Sequence, residues 1–598
     1  MTSVYLLMDK NNDIQQGKQN WIIIIVGMLF TVAMLQFRYQ YHIFFLEQLQ
    51  LFIFTKEYAM QLLSTPGGLV EYIGEYLIQF FKINYVGNIL IVILLTITGV
   101  CIRKLIEDKN KSCFIFECMI VFFLFVNFLD INFYLKGIIG YLFCLIALLI
   151  YYRIQTKLFK IRLLIVLLSG LFLFWIAAPF QTLFFVVVCA IELKRHGLNK
   201  GKSLFPLFII TICGFLVYIF AGEGAFRIYI NIDGVCSLRI IPGWTKYAAW
   251  ILLPVAILFN PLLEQTFKLI RKSLIKTIIQ ILLLGGIVIY LLPKYDDNWS
   301  LPFKQLHYYA THEKWDDILG YCKEHPLNNN YNCLNYQNLA LAEKGILADS
   351  LLCYTQKGKY GLYAPWDRIV PTAFVLQKVC YHYGDIAFAQ KYAFEGNVNS
   401  VTMGFPETLK MLVKTNLLQG QKNVAAKYIY YLQQTFSYKK WADKQYLYLS
   451  DTLTMRNDPE YKGKERFKEK ENHFTYSNEL YILAGLDKKD KKLRDFVLCS
   501  LLLDKDLPGF LNWFDFYNKD TSFQNIPDLY YQALMACAPS VPDVLTRYSV
   551  PENIKNDFEM YSMVYSSGRN SAEKQKWLHS QYKDSYWYYF HFTKIEHE

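Results

Sequence analysis

The chain has 598 residues, 54% of them hydrophobic and 19% charged, with a formal net charge of +12. That length allows more than one domain. The cation excess is not a nucleic-acid footprint, because much of it lies in short loops between apolar runs and no nucleic-acid-binding motif accompanies it.

Residues 1–20 are polar and lack an apolar core followed by a small-residue cleavage site, so they read as a cytoplasmic tail and not as a cleaved signal peptide. Apolar stretches of membrane-crossing length then recur up to Pro293. They centre on Trp21–Phe37, Tyr85–Ile102, Phe114–Leu129, Gly137–Tyr152, Leu163–Ala178, Phe180–Leu193, Leu204–Phe220, Ala248–Leu263 and Thr277–Leu292. This predicts a bundle of about nine spans over residues 21–293. The fifth and sixth stretches are separated only by Ala178, Pro179 and Phe180, and read as a tight hairpin or one broken helix.

Charge orients the bundle. Arg103, Lys104, Lys109 and Lys111 follow the second stretch, and Arg153, Lys157, Lys160 and Arg162 the fourth. Lys194, Arg195, Lys200 and Lys202 follow the sixth, and Lys268, Arg271, Lys272 and Lys276 the eighth. Cationic loops stay in the cytoplasm, so the N-terminus is expected inside and everything after the last stretch outside. The alternation favours the hairpin over the broken helix. In the first outer loop, Leu69, Tyr72, Ile73, Tyr76, Leu77, Phe80 and Phe81 recur at helical spacing, with Glu71, Glu75 and Gln79 on the opposite face. That pattern predicts an interfacial amphipathic helix over 69–81.

Beyond the bundle, residues 294–598 read as all helical. In "LALAEKGILADSLLCY", "LQKVCYHYGDIAFAQKY" and "VKTNLLQGQKNVAAKYIYYL", a helix ends at Gly345, Gly384 or Gly420. A small residue, Ser350, Ala389 or Ala425, follows in a second helix. This resembles the tetratricopeptide repeat, whose period is about 34 residues, and "YYATHEKWDDILGYCKEHP" looks like an earlier unit. The fold class expected is all-α: a polytopic transmembrane bundle followed by an extracytoplasmic helical-repeat solenoid.

The chain has 13 Cys. Cys322, Cys333, Cys353, Cys380, Cys499 and Cys537 fall in the outer half, without CxxC spacing, and read as disulfides or as buried thiols. No zinc pattern is present. With no GxxxxGK loop and no GxSxG elbow, a soluble nucleotide-driven enzyme is disfavoured. What remains is acid at the outer face: Asp130 between the third and fourth stretches, and Glu47 after the first. Carboxylates at membrane depth are costly and often functional. The plainer reading of Asp130 is an N-cap for the next span or an anchor paired with Lys136. The plainer reading of Glu47 is a solvated or salt-bridged interfacial residue.

The layout resembles the C-type membrane glycosyltransferases that use lipid-phosphate sugars. They keep the N-terminus inside, place an interfacial helix in a long first outer loop, and carry acids in that loop and often between spans three and four. Glu47 and Asp130 fall at the corresponding places, although "FFLEQLQLF" holds one carboxylate where that family commonly pairs two. The resemblance implies a polyprenyl-phosphate sugar as donor, Glu47 or Asp130 as general base, and a divalent metal ion as a conceivable cofactor. In that reading Arg227, Arg239 or Lys246 would hold the lipid phosphate, and the repeats would bind an envelope polypeptide or glycan. "EQLQLF", "PGGLVEYIGEYLIQFF" and "DSYWYYFHF" also resemble a family of Bacteroidetes inner-membrane proteins, which implies location and architecture but no reaction. The alternative is a non-catalytic membrane scaffold whose repeats recruit envelope proteins. A transporter is the weaker third option, with Glu117 its one obvious intramembrane acid.

Overall fold

The computed structural model describes residues 22–106, 113–154, 158–196, 201–230, 244–268, 270, 273–295, 300–325, 327, 330–400, 403–464, 479–519, 525–567 and 571–595. The protein is all-α, and no strand occurs among these residues. The chain divides into two units. The first is Met1–Leu301 with two short later segments, Val401–Met403 and Gln434–Lys439, and the second is the remainder.

The first unit is built from α1 (Ile22–Arg38), α2 (Gln40–Gln48), α3 (Lys56–Leu63), α4 (Gly68–Ile78), α5 (Val86–Ile106), α6 (Ile115–Leu129) and α7 (Lys136–Arg153). It continues with α8 (Phe159–Ala177), α9 (Phe180–His196), α10 (Phe205–Ile230), α11 (Trp244–Lys268) and α12 (Ser273–Tyr295). Among the described residues, five helices are long and apolar enough to cross a membrane, within α5, α7, α8, α11 and α12; a sixth span results if α1 and α2, bent by 76°, count as one. The other expected stretches are also helical, but α6 has 15 residues and α9 has 17. In α10 the described apolar portion is Phe205–Ile219. Glycine sets the close approaches that hold the bundle. A Cβ on Gly140 of α7 would stand 2.3 Å from the Phe180 ring of α9, and one on Gly170 of α8 would stand 2.2 Å from Phe185. Small residues of this kind let helices pack where lipid supplies no hydrophobic drive between them.

The expected helix over 69–81 is α4 followed by a 3₁₀ turn, Gln79–Lys82. Its orientation differs from a simple interfacial helix. Val70, Gly74, Glu75 and Ile78 are buried, whereas Tyr76 is exposed and Leu69, Ile73 and Leu77 are half-buried. Acidic residues thus face protein and part of the aromatic face looks outward. Beside lipid, apolar side chains can face outward, and Glu71 finds its partner, Lys136, within the bundle.

The second unit opens with α13 (Leu301–Thr311) and α14 (Trp315–Glu324). Next come α15 (Tyr331–Glu343), α16 (Leu347–Ser350), α17 (Val370–Tyr383), α18 (Ile386–Val398), α19 (Pro406–Leu418), α20 (Lys422–Gln433) and α21 (Lys439–Leu447). Further helices run from Thr452 to Phe592. Gly345, Gly384 and Gly420 all adopt left-handed backbone, φ +71°, +87° and +75°, at the ends of α15, α17 and α19. An L side chain there would clash with its own carbonyl, which is why glycine ends these helices. Ala389 and Ala425 are fully buried in the returning helices. The earliest hairpin is stunted, since α16 has only four residues. α13 also departs from a repeat. His307 bonds Tyr336 of α15 (2.8 Å), stacks on Phe374 of α17 (5.4 Å) and reaches Glu407 of α19 (2.8 Å), so α13 lies over the row of first helices. The described cysteines, Cys322, Cys333, Cys353, Cys380, Cys499 and Cys537 among them, are free thiols.

Candidate functional site

The turn between α6 and α7 positions Asp130. Its Oδ1 accepts from the Asn132 backbone N–H at 2.9 Å and the Asn132 side-chain amide at 3.1 Å, closing the turn locally. It does not cap α7, whose N-cap is Leu135. The other oxygen, Oδ2, pairs with Lys246 Nζ at 2.8 Å, across 116 residues of sequence. Lys246 stands in the first turn of α11. It is 5% exposed, donates to the Asn127 carbonyl at 3.4 Å, and lies 5.2 Å from the Phe133 ring centroid. The Asp130 side chain is 34% open. Burial pushes its proton affinity up, but the Lys246 charge and hydrogen bond, together with Asn132, outweigh that and hold the carboxyl below its ordinary value.

Lys136, the neighbour expected to anchor Asp130, instead pairs with Glu71 of α4 at 2.8 Å. α4 lies hard against the first turn of α7, where a Cβ on Gly74 would sit 3.1 Å from the Lys136 backbone nitrogen. Glu75, one turn on from Glu71, is 3% exposed, and its Oε2 has no hydrogen-bond partner. Burial raises its pKa to about 8, against the pull of Lys136. Asp130 and Glu75 are thus pushed in opposite directions, Asp130 down by Lys246 and Asn132 and Glu75 up by burial. The sequence places Glu71 and Glu75 on the helix face opposite the apolar residues. The signal that could have found them is their spacing of four, which puts both on one helix face.

Glu47 lies in a different setting. It is 2% exposed in α2, and Tyr438 Oη donates to both its oxygens at 2.6 and 2.7 Å. Gln48 Nε2 also donates to it. Tyr438 belongs to the Gln434–Lys439 segment of the first unit. Lys82 Nζ lies 3.6 Å from the Tyr438 ring centroid and donates to the Ser437 carbonyl at 3.1 Å. The Phe54 N–H donates to the Gln434 carbonyl at 2.8 Å. The acid is a buried acceptor that helps hold this segment, and no sequence signal links it to a tyrosine 391 positions away.

Of the three expected phosphate ligands, Lys246 meets Asp130. Arg227 is in α10, with its side chain outside the described portion, and Arg239 lies outside the described residues. Among the described residues no three His, Cys, Asp or Glu side chains gather as a metal shell.

A groove of about 300 Å³ runs between α1, α5, α6 and α12. Gly27, Gly99 and Gly285 contribute to its walls, and Phe114, Phe122 and Phe125 mark its course along α6. Arg103 and Glu117, 3.4 Å apart, are its charged lining residues. Phe125, in that lining, precedes Asp130 by five residues, about 7 Å along a helix axis; neither Asp130 nor Lys246 lines the groove.

Over residues 17–593 the chain matches the Family of unknown function (DUF6057), and it belongs to that family. No curated protein matches it, and no solved structure does.

Proposed function

We propose that this DUF6057 member is a multi-pass protein of the bacterial inner membrane, and that it transfers a sugar from a polyprenyl-phosphate carrier to an envelope acceptor. In this reading its N-terminus is cytoplasmic, its second unit is periplasmic, and that unit is a tetratricopeptide-like solenoid which binds the acceptor. The alternation of cationic loops supports the orientation, and the glycine-ended helix hairpins support the repeat assignment.

The observation that carries the reading is an accessible carboxylate paired with a buried lysine, on the turn that follows a helix lining an apolar groove. The polyprenyl chain would lie in the groove, with its phosphate at Lys246. Asp130 takes the proton of the acceptor hydroxyl as that oxygen bonds to the anomeric carbon. The bond from the anomeric carbon to the phosphate oxygen breaks, and the polyprenyl phosphate leaves with its negative charge held by Lys246. A phosphate that draws Lys246 away from Asp130 also removes the cation that weakens Asp130 as a base, so donor binding readies the acceptor's proton acceptor. Glu47, saturated by Tyr438 and Gln48, serves here as a positioning residue for the Gln434–Lys439 segment.

The test is transfer of labelled sugar from a polyprenyl-phosphate donor in membranes carrying Asp130→Asn or Lys246→Gln at wild-type abundance. Loss of transfer in both is expected, and full transfer by Asp130→Asn sinks the proposal. The scaffold reading is favoured by one observation: Glu47, one of the two candidate acids, is locked into a structural contact. It requires that both variants keep the envelope phenotype.

A further inference from the structure

We infer that the groove between α1, α5, α6 and α12 holds one acyl chain of a phosphoethanolamine lipid, whose phosphate meets Arg103 and whose ammonium meets Glu117. This goes beyond the transfer reading, in which a carrier's tail would take that chain's place, and it does not depend on it.

Glycine makes the space. At Gly140 and Gly170 an added Cβ would strike a ring, because a neighbouring helix presses on each of them. Gly27 of α1 and Gly285 of α12 differ: a Cβ on either would meet no atom within 4 Å. Both line the groove, so they widen it where small residues elsewhere draw helices together. The walls have little protein behind them. Of the five spanning helices α12 is the least buried, 11% of its apolar window against 28% for the next, and Ile25, Val26 and Leu29 of α1 are exposed. A lipid tail can therefore enter from the side. Width then selects the occupant. The lining runs from Phe114 to Phe125 of α6, about 16 Å of helix axis. A volume of about 300 Å³ over that length leaves a mean cross-section on the order of 20 Å². A partner helix, about 10–12 Å across with its side chains, does not fit. A single hydrocarbon chain does.

The charged pair selects the head group. Arg103 lies in the last turn of α5 and Glu117 in the first turn of α6, so the pair marks one end of the groove, at the level where these helices leave the membrane. The lining carries one cation and one anion and is electrically neutral. Lys104, beside Arg103, is exposed and does not line it. The pair is 3.4 Å apart, longer than the roughly 2.7–2.9 Å of a tight charge-assisted bond. A guanidinium carries several N–H donors and a carboxylate several acceptor sites, so each group can serve a head group and keep the other. A lipid phosphate suits Arg103. A primary ammonium donates N–H bonds to Glu117, whereas the quaternary ammonium of a choline head has none to give. A glycerol head group brings a phosphate with no cation to set against Glu117.

The test uses the full chain in detergent micelles, stripped of lipid and offered equal amounts of phosphatidylethanolamine, phosphatidylcholine and phosphatidylglycerol with the same acyl chains. Native mass spectrometry counts what stays bound. Retention of one phosphatidylethanolamine, in preference to the other two, is expected. Gly27→Leu and Gly285→Leu fill the space and should fold, since nothing obstructs their Cβ and leucine is the better helix former. Each should cut retention about tenfold or more by occupying the volume the chain needs. Glu117→Gln should erase the preference for ethanolamine over choline, and Arg103→Gln should weaken retention of both. Preference for phosphatidylglycerol, equal retention of all three lipids, no lipid retained, or leucine variants that bind like wild type would each overturn the inference.

Discussion

Replacing Asp130 by Asn should destabilise the first unit more than replacing Lys246 by Met, although Asn is the closer mimic in shape. The asymmetry comes from burial: the Lys246 side chain is 6% exposed and that of Asp130 34%. Without the carboxylate, the ammonium keeps a long contact to the Asn127 carbonyl at 3.4 Å and the Phe133 ring at 5.2 Å. Stranding a fully buried charge costs about 3–5 kcal/mol, and the partial opening on the Asp130 side, where water screens the pair, lowers that to about 2–3 kcal/mol. Lys246→Met leaves Asp130 with Asn132 and water, at a cost of about 0–1 kcal/mol. The double variant should resemble Lys246→Met alone, giving a coupling of about 2 kcal/mol. Because its folded pKa lies below the ordinary 3.8, Asp130 contributes stability that is present above that pH and lost as pH falls through the folded value. Denaturant titration of the detergent-solubilised protein at neutral pH measures all four forms. Equal costs for Lys246→Met and Asp130→Asn, or costs that simply add, would refute this asymmetry. Transfer activity should not follow this order, since the proposed chemistry needs both groups.

Tyr438→Phe should cost about 1–3 kcal/mol, because it strips the shared donor from a buried carboxylate; the loss should shrink in a Glu47→Gln background, which a double-mutant cycle reads directly. Glu75→Gln should be stabilising at neutral pH. With a folded pKa raised from 4.5 to about 8, Glu75 stabilises fully below the lower value and loses that contribution as pH rises through the higher one. The gain from Gln should therefore be on the order of 3 kcal/mol at pH 7 and vanish near pH 4.5; equal midpoints for wild type and variant at pH 7.5 would refute the burial argument. Gly384→Ala should cost about 1–2 kcal/mol at its left-handed position, seen as a lower thermal midpoint by circular dichroism. A reporter active only outside the cytoplasm should work when fused after Lys294, and activity of a cytoplasm-only reporter there would invert the topology.

The helical class was readable from residues close together in the chain. Apolar stretches of spanning length announce membrane helices, and glycine followed five positions on by a small residue announces a hairpin, because both depend on neighbours within a turn or two. The acids were readable as candidates for the same reason: Asp130 and Glu47 stand out against greasy surroundings. Their partners were not. Asp130 passes over Lys136, six residues away, for Lys246, and Glu47 takes a tyrosine from the far side of the chain. The two faces of α4 were readable from its spacing, but amphipathicity does not say which surroundings each face meets. In water the apolar face goes inward, but beside lipid it can face out while Glu75 is buried against protein. α13 likewise has a length close to that of α15, yet it lies across α15, α17 and α19. Local sequence sets what each helix can bury, whereas the packed bundle decides what it is buried against, and a charge takes its character from that neighbour.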